Sequence, residues 1–367
     1  MQEKYVYDNT QENIEIRNGL IEIEQEAKPA DKKSTIINFL IIIAIMIGLL
    51  IYMIKVDGID NIIAVLKAVD YKWVVAGLGC LMLYWVCEGT GLHIPIKKLY
   101  PNQKWSNSVR IAMIGQLFNN LTPFASGGQP MQAYEFTKTG KRASDSFSAM
   151  AIKFIINQTA IVITTLIIML FEFSFFKELL KSYFWVALLG FAINIGAIIL
   201  VILAGVKKKI IKGIINSIIK FLGKIHIIKH PDRRIEKLDK SIDNFAEQFK
   251  VIKTEKKMVI QMFIVSIVQC MAYYSITYMV YRAFGNSGIT FFQIIPVQAF
   301  LLLILMFVPT PGSGLGAEGG FYMLFNKIFK EGTINMSILF WRIYTFYLPI
   351  LVGLLCMISI KRKTKRD

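Results

Sequence analysis

Two stretches rich in glycine, proline and small polar residues interrupt apolar segments of this chain, one in each half. The first covers residues 119–130 and reads NNLTPFASGGQP, and the second covers residues 309–320 and reads PTPGSGLGAEGG. Proline removes a backbone hydrogen-bond donor and glycine weakens a helix, so both stretches predict helix breaks. In hydrocarbon, such breaks persist only against protein or a water-filled cavity. One break in each half is typical of a transport site.

The first break offers the chemistry of anion binding. Glycine frees backbone N–H groups, and such groups at the start of a half-helix attract a phosphate. Arginines nearby could hold a phosphodiester at the cytoplasmic edge. The candidate binding residues of this half are Arg110, Asn119, Asn120, Thr122, Gly127, Gly128, Gln129, Glu135, Arg142 and Lys153. The amide and hydroxyl side chains among them could instead satisfy the broken backbone, and both roles can hold together.

Ionisable side chains inside apolar segments are functional candidates, because charge is costly in lipid. Glu88 lies near the end of the second apolar segment, Glu318 lies in the second break, and Arg342 is about two turns into the last segment. Gly314 and Gly316 accompany Glu318 as candidate binding residues. We expect a carboxylate to pair with an arginine or lysine across the two halves, and Glu318 to hold an ammonium group. Buried pairs without a binding role are the alternative.

Other chemistries find little support in the sequence. The four cysteines and three histidines have neither disulfide nor zinc-ligand spacing, so no metal or cofactor is expected. Residues 314–319 fit the dinucleotide fingerprint G-x-G-x-x-G, but they follow two prolines rather than a strand. The sequence contains no P-loop and no evident Ser/His/Asp or Cys/His grouping. These observations favour a binding protein or a transporter over an enzyme.

The elements that must position these residues are membrane-spanning helices. Apolar residues make up 54% of the chain, and uncharged runs of about 18 or more residues mark spans. The predicted spans are residues 35–54, 73–87 with a continuation toward 94, 151–170, 184–206, 258–281, 290–308 and 336–360. The expected fold class is an all-α polytopic integral membrane protein with about six full spans and two broken or re-entrant helix pairs. Both pairs could instead cross the membrane fully, and the C-terminus would still lie on the same side of the membrane.

The order of these segments predicts an inverted repeat, because span, span, broken pair and span occur twice with opposite orientation. The expected regions are a disordered cytoplasmic tail (1–34), a first half (35–206), basic amphipathic helices on the inner leaflet (207–257), a second half (258–360) and a basic tail (361–367). The net charge of +17 falls mainly in loops that the positive-inside rule assigns to the cytoplasm. Both termini are therefore expected inside, with anionic lipid headgroups rather than nucleic acid as partners.

The residues of the two breaks resemble a known family. The sequence TPFASGGQP at 122–130, with Tyr134, Glu135 and residues 138–140 after it, is similar to the first signature of the lysylphosphatidylglycerol synthase transmembrane-domain family. This family includes the flippase half of the bacterial multiple peptide resistance factor. The sequence PTPGSGLGAE at 309–318 is similar to the second signature, and the resemblance covers roughly residues 35–360.

The resemblance implies a protein of the bacterial cytoplasmic membrane that translocates a phospholipid. The lipid it implies is lysyl-phosphatidylglycerol, whose export confers resistance to cationic peptides, or else another phospholipid or a glycolipid. Full-length relatives also carry a soluble domain that transfers lysine from aminoacyl-tRNA. This chain ends seven residues after its last predicted span, so lysyl transfer is not expected of it. The rival hypotheses are a phosphatidylglycerol lysyltransferase, a membrane subunit that serves a separate lipid synthase, and a small-solute transporter.

Overall fold

The computed structural model describes residues 59–181, 184–224, 235, 239, 243, 254–305 and 314–363, and its regular elements there are helical. In chain order the helices are α1 (Ile59–Ala68), α2 (Tyr71–Leu99), α3 (Trp105–Leu121), α4 (Gly128–Thr137), α5 (Ala143–Phe171), α6 (Phe173–Leu180), α7 (Phe184–Val206), α8 (Lys208–Lys224), α9 (Lys256–Ala283), α10 (Phe291–Leu305), α11 (Gly314–Phe325), α12 (Ile334–Arg342) and α13 (Leu348–Lys363). A 3-10 turn follows α3 at Pro123–Ala125, and a π-helical turn joins α12 to α13 at Ile343–Tyr347. The predicted all-α fold class is confirmed.

Several of these helices are membrane spans. In the described ranges, four stretches are long and apolar enough to cross a bilayer: Tyr71–Leu99, Asp145–Phe171, Lys256–Ala283 and Ile334–Ile358. Helix α7 adds 23 residues without a charged side chain. The chain is therefore a multi-pass membrane protein, as predicted. The predicted span at residues 35–54 lies outside the described residues.

Helix α2 shows why a charged residue need not end a span. The sequence predicted a short helix to residue 87 or a continuation past Glu88, and the helix runs on to Leu99. The Glu88 carboxylate accepts hydrogen bonds from Lys153 of α5 and Gln269 of α9, so its charge is paired inside the bundle. A paired carboxylate avoids most of the penalty of an isolated buried charge.

The helices on either side of the first break are too short to span the membrane alone. Helices α3 and α4 have 17 and 10 residues. At about 1.5 Å per residue, each covers less than the roughly 30 Å of the hydrocarbon core. These lengths favour a broken, re-entrant pair over two full crossings at the first break.

The second glycine-rich stretch is described only from Gly314 onward, because residues 309–313 lie outside the described residues. Residues 314–320 are helical and belong to α11, so the predicted break does not extend through them. Packing explains the helix, because Ala317 and Phe321 are fully buried on one face. At Gly320 an added Cβ would lie 2.8 Å from Leu301, so the missing side chain lets α10 approach. Small residues often allow such close helix contacts in membranes.

Helix contacts occur in matching sets in the two halves. In the first half, α2 packs on α3, α3 on α4, and α4 on α5. In the second half, α9 packs on α10, α10 on α11, and α11 on α12. Each half also contacts the other in a matching way, because α3 packs on α13 and α10 packs on α5. Helices α2 and α9 share the most extensive contact among the described elements. Such paired contacts are the pattern that a two-fold repeat produces.

The basic region between the halves begins with a helix, as predicted. In α8, Ile211 and Ile219 are buried while Ile210 and Ile214 are exposed. Lys208 and Lys212 of α8 both donate hydrogen bonds to the Asp243 carboxylate, which lowers the pKa of Asp243. Most of residues 225–253, the rest of this predicted amphipathic region, lie outside the described residues.

The substitution Gly89→Ala tests the close packing of α2 on α3. A Cβ at Gly89 would lie 2.7 Å from the Cα of Val109, so the two backbones must separate. We expect a loss of about 1–3 kcal/mol of stability, seen as a lower midpoint of thermal unfolding in detergent. The matched control is Gly79→Ala in the same helix, where nothing lies within 4 Å of an added Cβ. It should keep or raise the midpoint, because alanine is the better helix former. Equal losses in both variants would contradict the packing.

Candidate functional site

Two side chains close the turn between α3 and α4. The Thr122 hydroxyl donates to the Phe118 carbonyl oxygen at 2.7 Å and accepts from the Gly127 N–H at 2.8 Å. The Asn119 Oδ1 accepts from the Gly128 N–H at 3.0 Å. A side chain at Gly128 would collide with Asn119, so glycine is required for this contact. The predicted break at residues 119–130 is confirmed.

These hydrogen bonds change the predicted role of the two glycines. Their N–H groups were expected to face an anionic ligand, but in the structure they point to Thr122 and Asn119. A buried N–H without a partner is strongly unfavourable, which is reason enough for the chain to satisfy these donors itself. The prediction of a phosphate cradle made by the Gly127 and Gly128 amides is therefore wrong. The alternative, that polar side chains satisfy the broken backbone, is confirmed for Thr122 and Asn119.

The turn also holds two side-chain-bearing residues in the left-handed region. Phe124 has φ of 54° and Ala125 has φ of 51°. Such conformations cost of the order of 1–3 kcal/mol each and persist when the surroundings impose them. Here the bonds of Thr122 and Asn119 to the following glycines hold the turn shut. The strained pair lies directly against the chamber described next.

A chamber of about 840 Å³ lies beside this turn. Its volume is within the range of about 300–1,000 Å³ that is usual for small-molecule sites. A second space of about 330 Å³ shares Tyr84, Asn119, Asn120, Tyr273 and Tyr274 with the first, so the two are lobes of one chamber. The wall combines the end of α3 with residues of α2, α5, α7, α9, α10, α12 and the π-helical turn. Both halves of the chain thus build the site.

The wall of the larger lobe is rich in polar groups for a cavity inside membrane helices. They belong to Tyr84, Asn119, Asn120, Ser126, Gln129, Gln158, Thr165, Tyr273, Tyr274, Arg342 and Thr345. Predicted candidates Asn119, Asn120, Gln129 and Arg342 therefore meet at one place. Amide and hydroxyl groups of this kind can replace the water around a polar solute.

Arg342 is the one charged side chain among the described residues that line either lobe. Its Nε donates to Glu318 Oε1 at 2.6 Å, and both residues are buried. The guanidinium also lies 5.5 Å from the ring centre of Trp341 and 5.0 Å from that of Phe346. The π-helical turn begins directly after Arg342, and such turns are frequent at functional sites. The structure thus holds a cation firmly in the chamber wall.

Glu318 takes a different role from the predicted one. It lines neither lobe, and its carboxylate contacts Arg342 rather than standing open to an ammonium group. Gly314 and Gly316 lie in α11 and are likewise absent from the wall. Glu318 and Arg342 both belong to the second half, so the expectation of a pair between the halves is wrong for them. The reason is local, because α11 and α12 pack directly on each other.

A second buried ion pair lies behind the smaller lobe. Lys153 Nζ is 2.5 Å from Glu88 Oε1, and Gln269 Nε2 donates to Glu88 Oε2 at 2.7 Å. Lys153 is therefore held by Glu88, also within one half, and does not line the chamber. Gln269 does line the smaller lobe. This network connects α2, α5 and α9 around the chamber floor.

Three predicted residues lie away from the chamber. Arg110 Nη2 donates to Asn107 Oδ1 at 2.5 Å, near the start of α3. Arg142 is exposed and pairs with Asp145 at 3.1 Å, and Glu135 of α4 pairs with Lys138 at 2.7 Å, just after the end of that helix. The structure brings none of these side chains into either lobe.

Sequence reasoning missed the aromatic part of the wall. Tyr84 and Tyr273 pack with ring centres 5.3 Å apart, and the Tyr274 hydroxyl lies 3.2 Å from Thr165 Oγ1. Tyrosine is usually placed at the membrane interface, where its hydroxyl meets water. Tyrosines in the middle of a predicted span were therefore a signal for a polar cavity.

The comparison with known families agrees with this architecture. The profile of the family described as Lysylphosphatidylglycerol synthase TM region matches residues 36–353. This range includes every residue that lines the chamber. The chain belongs to this family. No curated protein matches it significantly.

The cap at Gly128 can be tested with Asn119→Leu. Loss of the acceptor leaves the Gly128 N–H unsatisfied, so we expect about 1–3 kcal/mol of local destabilisation. Hydrogen exchange at Gly127–Gln129 should become faster, as measured by mass spectrometry in detergent. Asn119→Asp keeps an acceptor oxygen and should restore protection. Asn120→Leu is the matched control, because Asn120 also lines the chamber but does not cap Gly128. Equal exchange in the three variants would contradict the role of Asn119.

The ion pair behind the smaller lobe makes a separate prediction. Glu88→Met strands the buried Lys153 ammonium, which should cost about 3–5 kcal/mol. The expected result is a large drop in the unfolding midpoint in detergent. The double variant Glu88→Met/Lys153→Met removes both charges and should recover most of the loss. A double variant as unstable as the single one would show that the pair does not act as a unit.

Proposed function

We propose that this chain carries phospholipid headgroups across the membrane through the chamber. A phosphate that enters hydrocarbon without partners pays a prohibitive desolvation penalty. The chamber offers amide, hydroxyl and guanidinium groups inside a bundle of apolar helices. The cluster of polar side chains in this chamber, with Arg342 among them, is the observation that best supports the proposal. Family membership supports a lipid-related role in the membrane.

The wall suggests how the lipid enters. Phe124 and Phe154 line the larger lobe and are 62% and 49% exposed. We propose that the chamber opens to the surrounding lipid beside them, between the α3–α4 turn and α5. In our proposal the headgroup passes this opening while the acyl chains stay in the surrounding lipid. Guanidinium groups are well suited to hold the phosphate, since they donate several hydrogen bonds in a fixed plane.

Charge and family support a proposal for the cellular setting. We place the protein in the cytoplasmic membrane of a bacterium, with both termini inside and anionic lipids as its surroundings. The exported lipid would alter the surface charge of the cell, which links this role to resistance against cationic peptides. The protein could act beside a separate lipid synthase that supplies its substrate.

The family description names a synthase, so a lipid-modifying role is the second candidate function. Lipid extracts of a deletion strain separate the two. If the chain takes part in synthesis, an aminoacyl lipid should disappear from the extract. If it translocates lipid, the lipid composition should be unchanged while the distribution between leaflets shifts.

The direct test is reconstitution into liposomes that contain a trace of phosphatidylglycerol with a fluorescent acyl chain. Dithionite, which does not cross the bilayer, quenches only the label in the outer leaflet of protein-free vesicles. With the protein present, we expect a second, slower phase as inner-leaflet lipid reaches the surface. A quenching curve identical to that of protein-free vesicles, repeated with other native phospholipids, would reject translocation.

The double variant Glu318→Gln/Arg342→Gln, which removes both charges of the buried pair, should slow this second phase about tenfold or more. A hydrogen bond to a charged group contributes about 1.5–3 kcal/mol, and about 1.4 kcal/mol corresponds to a factor of ten in rate. Arg142→Gln is the matched control, because Arg142 is exposed, pairs with Asp145 and lies outside both lobes. It should transport at the rate of the unmodified protein. Equal rates in the two variants would remove Arg342 from the translocation path.

A further inference from the structure

We infer that the smaller lobe of the chamber receives the uncharged, hydroxyl-bearing part of a lipid headgroup, such as a glycerol, an inositol or a sugar. The inference rests on the proposed function and names the substrate class of the same site. Its basis is the neutral, amide-rich wall of this lobe and the buried amide oxygen of Asn157. The criterion is the hydroxyl group rather than the charge, so an aminoacylated phosphatidylglycerol that keeps a free glycerol hydroxyl also meets it.

The wall of the smaller lobe is polar but carries no charge. None of the described residues that line it is Asp, Glu, His, Lys or Arg, and Arg342 lines the larger lobe only. Its polar groups are amides and hydroxyls, which belong to Tyr84, Gln116, Asn119, Asn120, Asn157, Gln269, Tyr273, Tyr274, Tyr344 and Thr345. Such groups exchange hydrogen bonds with hydroxyls but offer no counter-charge. This wall therefore suits the uncharged end of a headgroup.

Asn157 supplies a buried acceptor in this wall. Its Oδ1 has no hydrogen-bond partner among the described residues. Lys153, one helical turn earlier on α5, is bound to Glu88 instead. A buried acceptor without a partner is unfavourable, and most such atoms in folded proteins are satisfied. A ligand hydroxyl would satisfy it by donating its hydrogen, and the hydroxyl oxygen could still accept from another amide of the wall.

Two glutamines of the wall are held in place by side chains beside the lobe. Gln269 Nε2 donates to Glu88 Oε2 at 2.7 Å, and Gln116 Nε2 donates to the Tyr84 hydroxyl at 3.2 Å. Glu88 is itself paired with Lys153, and neither member of this ion pair lines the lobe. A site whose polar groups are already oriented loses less entropy when a ligand binds. The buried ion pair thus orders the wall without adding a charge to it.

The size and the aromatic surface of the lobe fit a small polyol. The lobe measures about 330 Å³, near the lower end of the range of about 300–1,000 Å³ that is usual for small-molecule sites. This volume suits a glycerol, an inositol or one sugar ring, while the acyl chains stay outside. Tyr84 and Tyr273 line the lobe with ring centres 5.3 Å apart, and their rings provide apolar surface for the C–H groups of a polyol.

The test compares two lipids of equal charge that differ in hydroxyl groups. Phosphatidylglycerol and phosphatidylpropanol, with the same fluorescent acyl chain, are each reconstituted with the full chain. Initial rates of dithionite quenching are measured, and the rates in protein-free vesicles are subtracted. We expect phosphatidylglycerol to move about fivefold faster or more, because the analogue without hydroxyls leaves the amides of the wall unpaired. Equal rates, or faster movement of phosphatidylpropanol, would overturn the inference and leave translocation intact.

Native mass spectrometry provides a second readout that does not depend on transport. The protein is solubilised in dodecyldimethylamine oxide, a detergent without hydroxyl groups, and mixed with equal amounts of both lipids. Preferential retention of phosphatidylglycerol would support the inference even if neither lipid is translocated, in which case only the proposed function fails. Equal retention would overturn the inference. Excess free glycerol should leave the bound lipid in place, and displacement of the lipid would assign the lobe to a soluble polyol and overturn its assignment to a headgroup.

The variant Asn157→Leu identifies the residue responsible. It removes an acceptor that has no partner among the described residues, so the unfolding midpoint in detergent should be kept or raised. The preference for phosphatidylglycerol should fall below about twofold, because one hydrogen bond to the hydroxyl is lost. An Asn157→Leu protein that prefers phosphatidylglycerol as strongly as the unmodified chain would overturn the assignment to Asn157. A lowered midpoint would indicate a structural role for Asn157 and would overturn it as well.

Thr159→Val is the matched control in the same helix. The Thr159 hydroxyl donates to the Ile155 carbonyl oxygen, and the residue lines neither lobe. This variant also replaces a polar side chain of α5 with an apolar one, so it should keep the full preference for phosphatidylglycerol. Equal loss of the preference in both variants would show that any polar-to-apolar change in α5 has this effect, and the assignment to Asn157 would fail.

Discussion

The structure depends on one constraint: a helix that breaks inside a bilayer must still satisfy its peptide groups. The turn between α3 and α4 meets it with Thr122 and Asn119, which accept the N–H groups of Gly127 and Gly128. These bonds hold Phe124 and Ala125 in strained conformations against the chamber. Without them the break would expose unpaired donors to hydrocarbon, and the wall of the chamber would have no fixed shape.

The same constraint applies to charge. Both buried ion pairs join neighbouring helices within one half, Glu88 with Lys153 and Glu318 with Arg342. Pairing lets α2 continue past its carboxylate and lets α12 present a guanidinium to the chamber. Among the described residues, the protein thus pairs the charges that it buries inside the bundle, and one of the paired residues, Arg342, belongs to the chamber wall.

Much of the fold followed from hydropathy, because the period and length of apolar runs decide which segments span a membrane. The bounds of α7 agreed with the prediction, and α2 and α5 ran past theirs. The site was harder to predict. The sequence placed Asn120, Gln129 and Arg342 among the candidates, but it could not show that Glu318 stands behind Arg342 or that Arg142 faces away. Helix rotation and packing decide those directions, and hydropathy does not contain them. Gly127 and Gly128 were predicted to bind an anion, but their N–H groups donate to Thr122 and Asn119 within the turn.

We propose that the chamber receives a lipid headgroup at Arg342. The most direct measurement is a cryo-electron microscopy structure of the protein in nanodiscs made of phosphatidylglycerol. We expect phosphate density within hydrogen-bonding distance of the Arg342 guanidinium, with acyl chains leaving the bundle past Phe124 and Phe154. Lipid phosphates confined to the membrane surface, with the chamber closed by side chains, would contradict it.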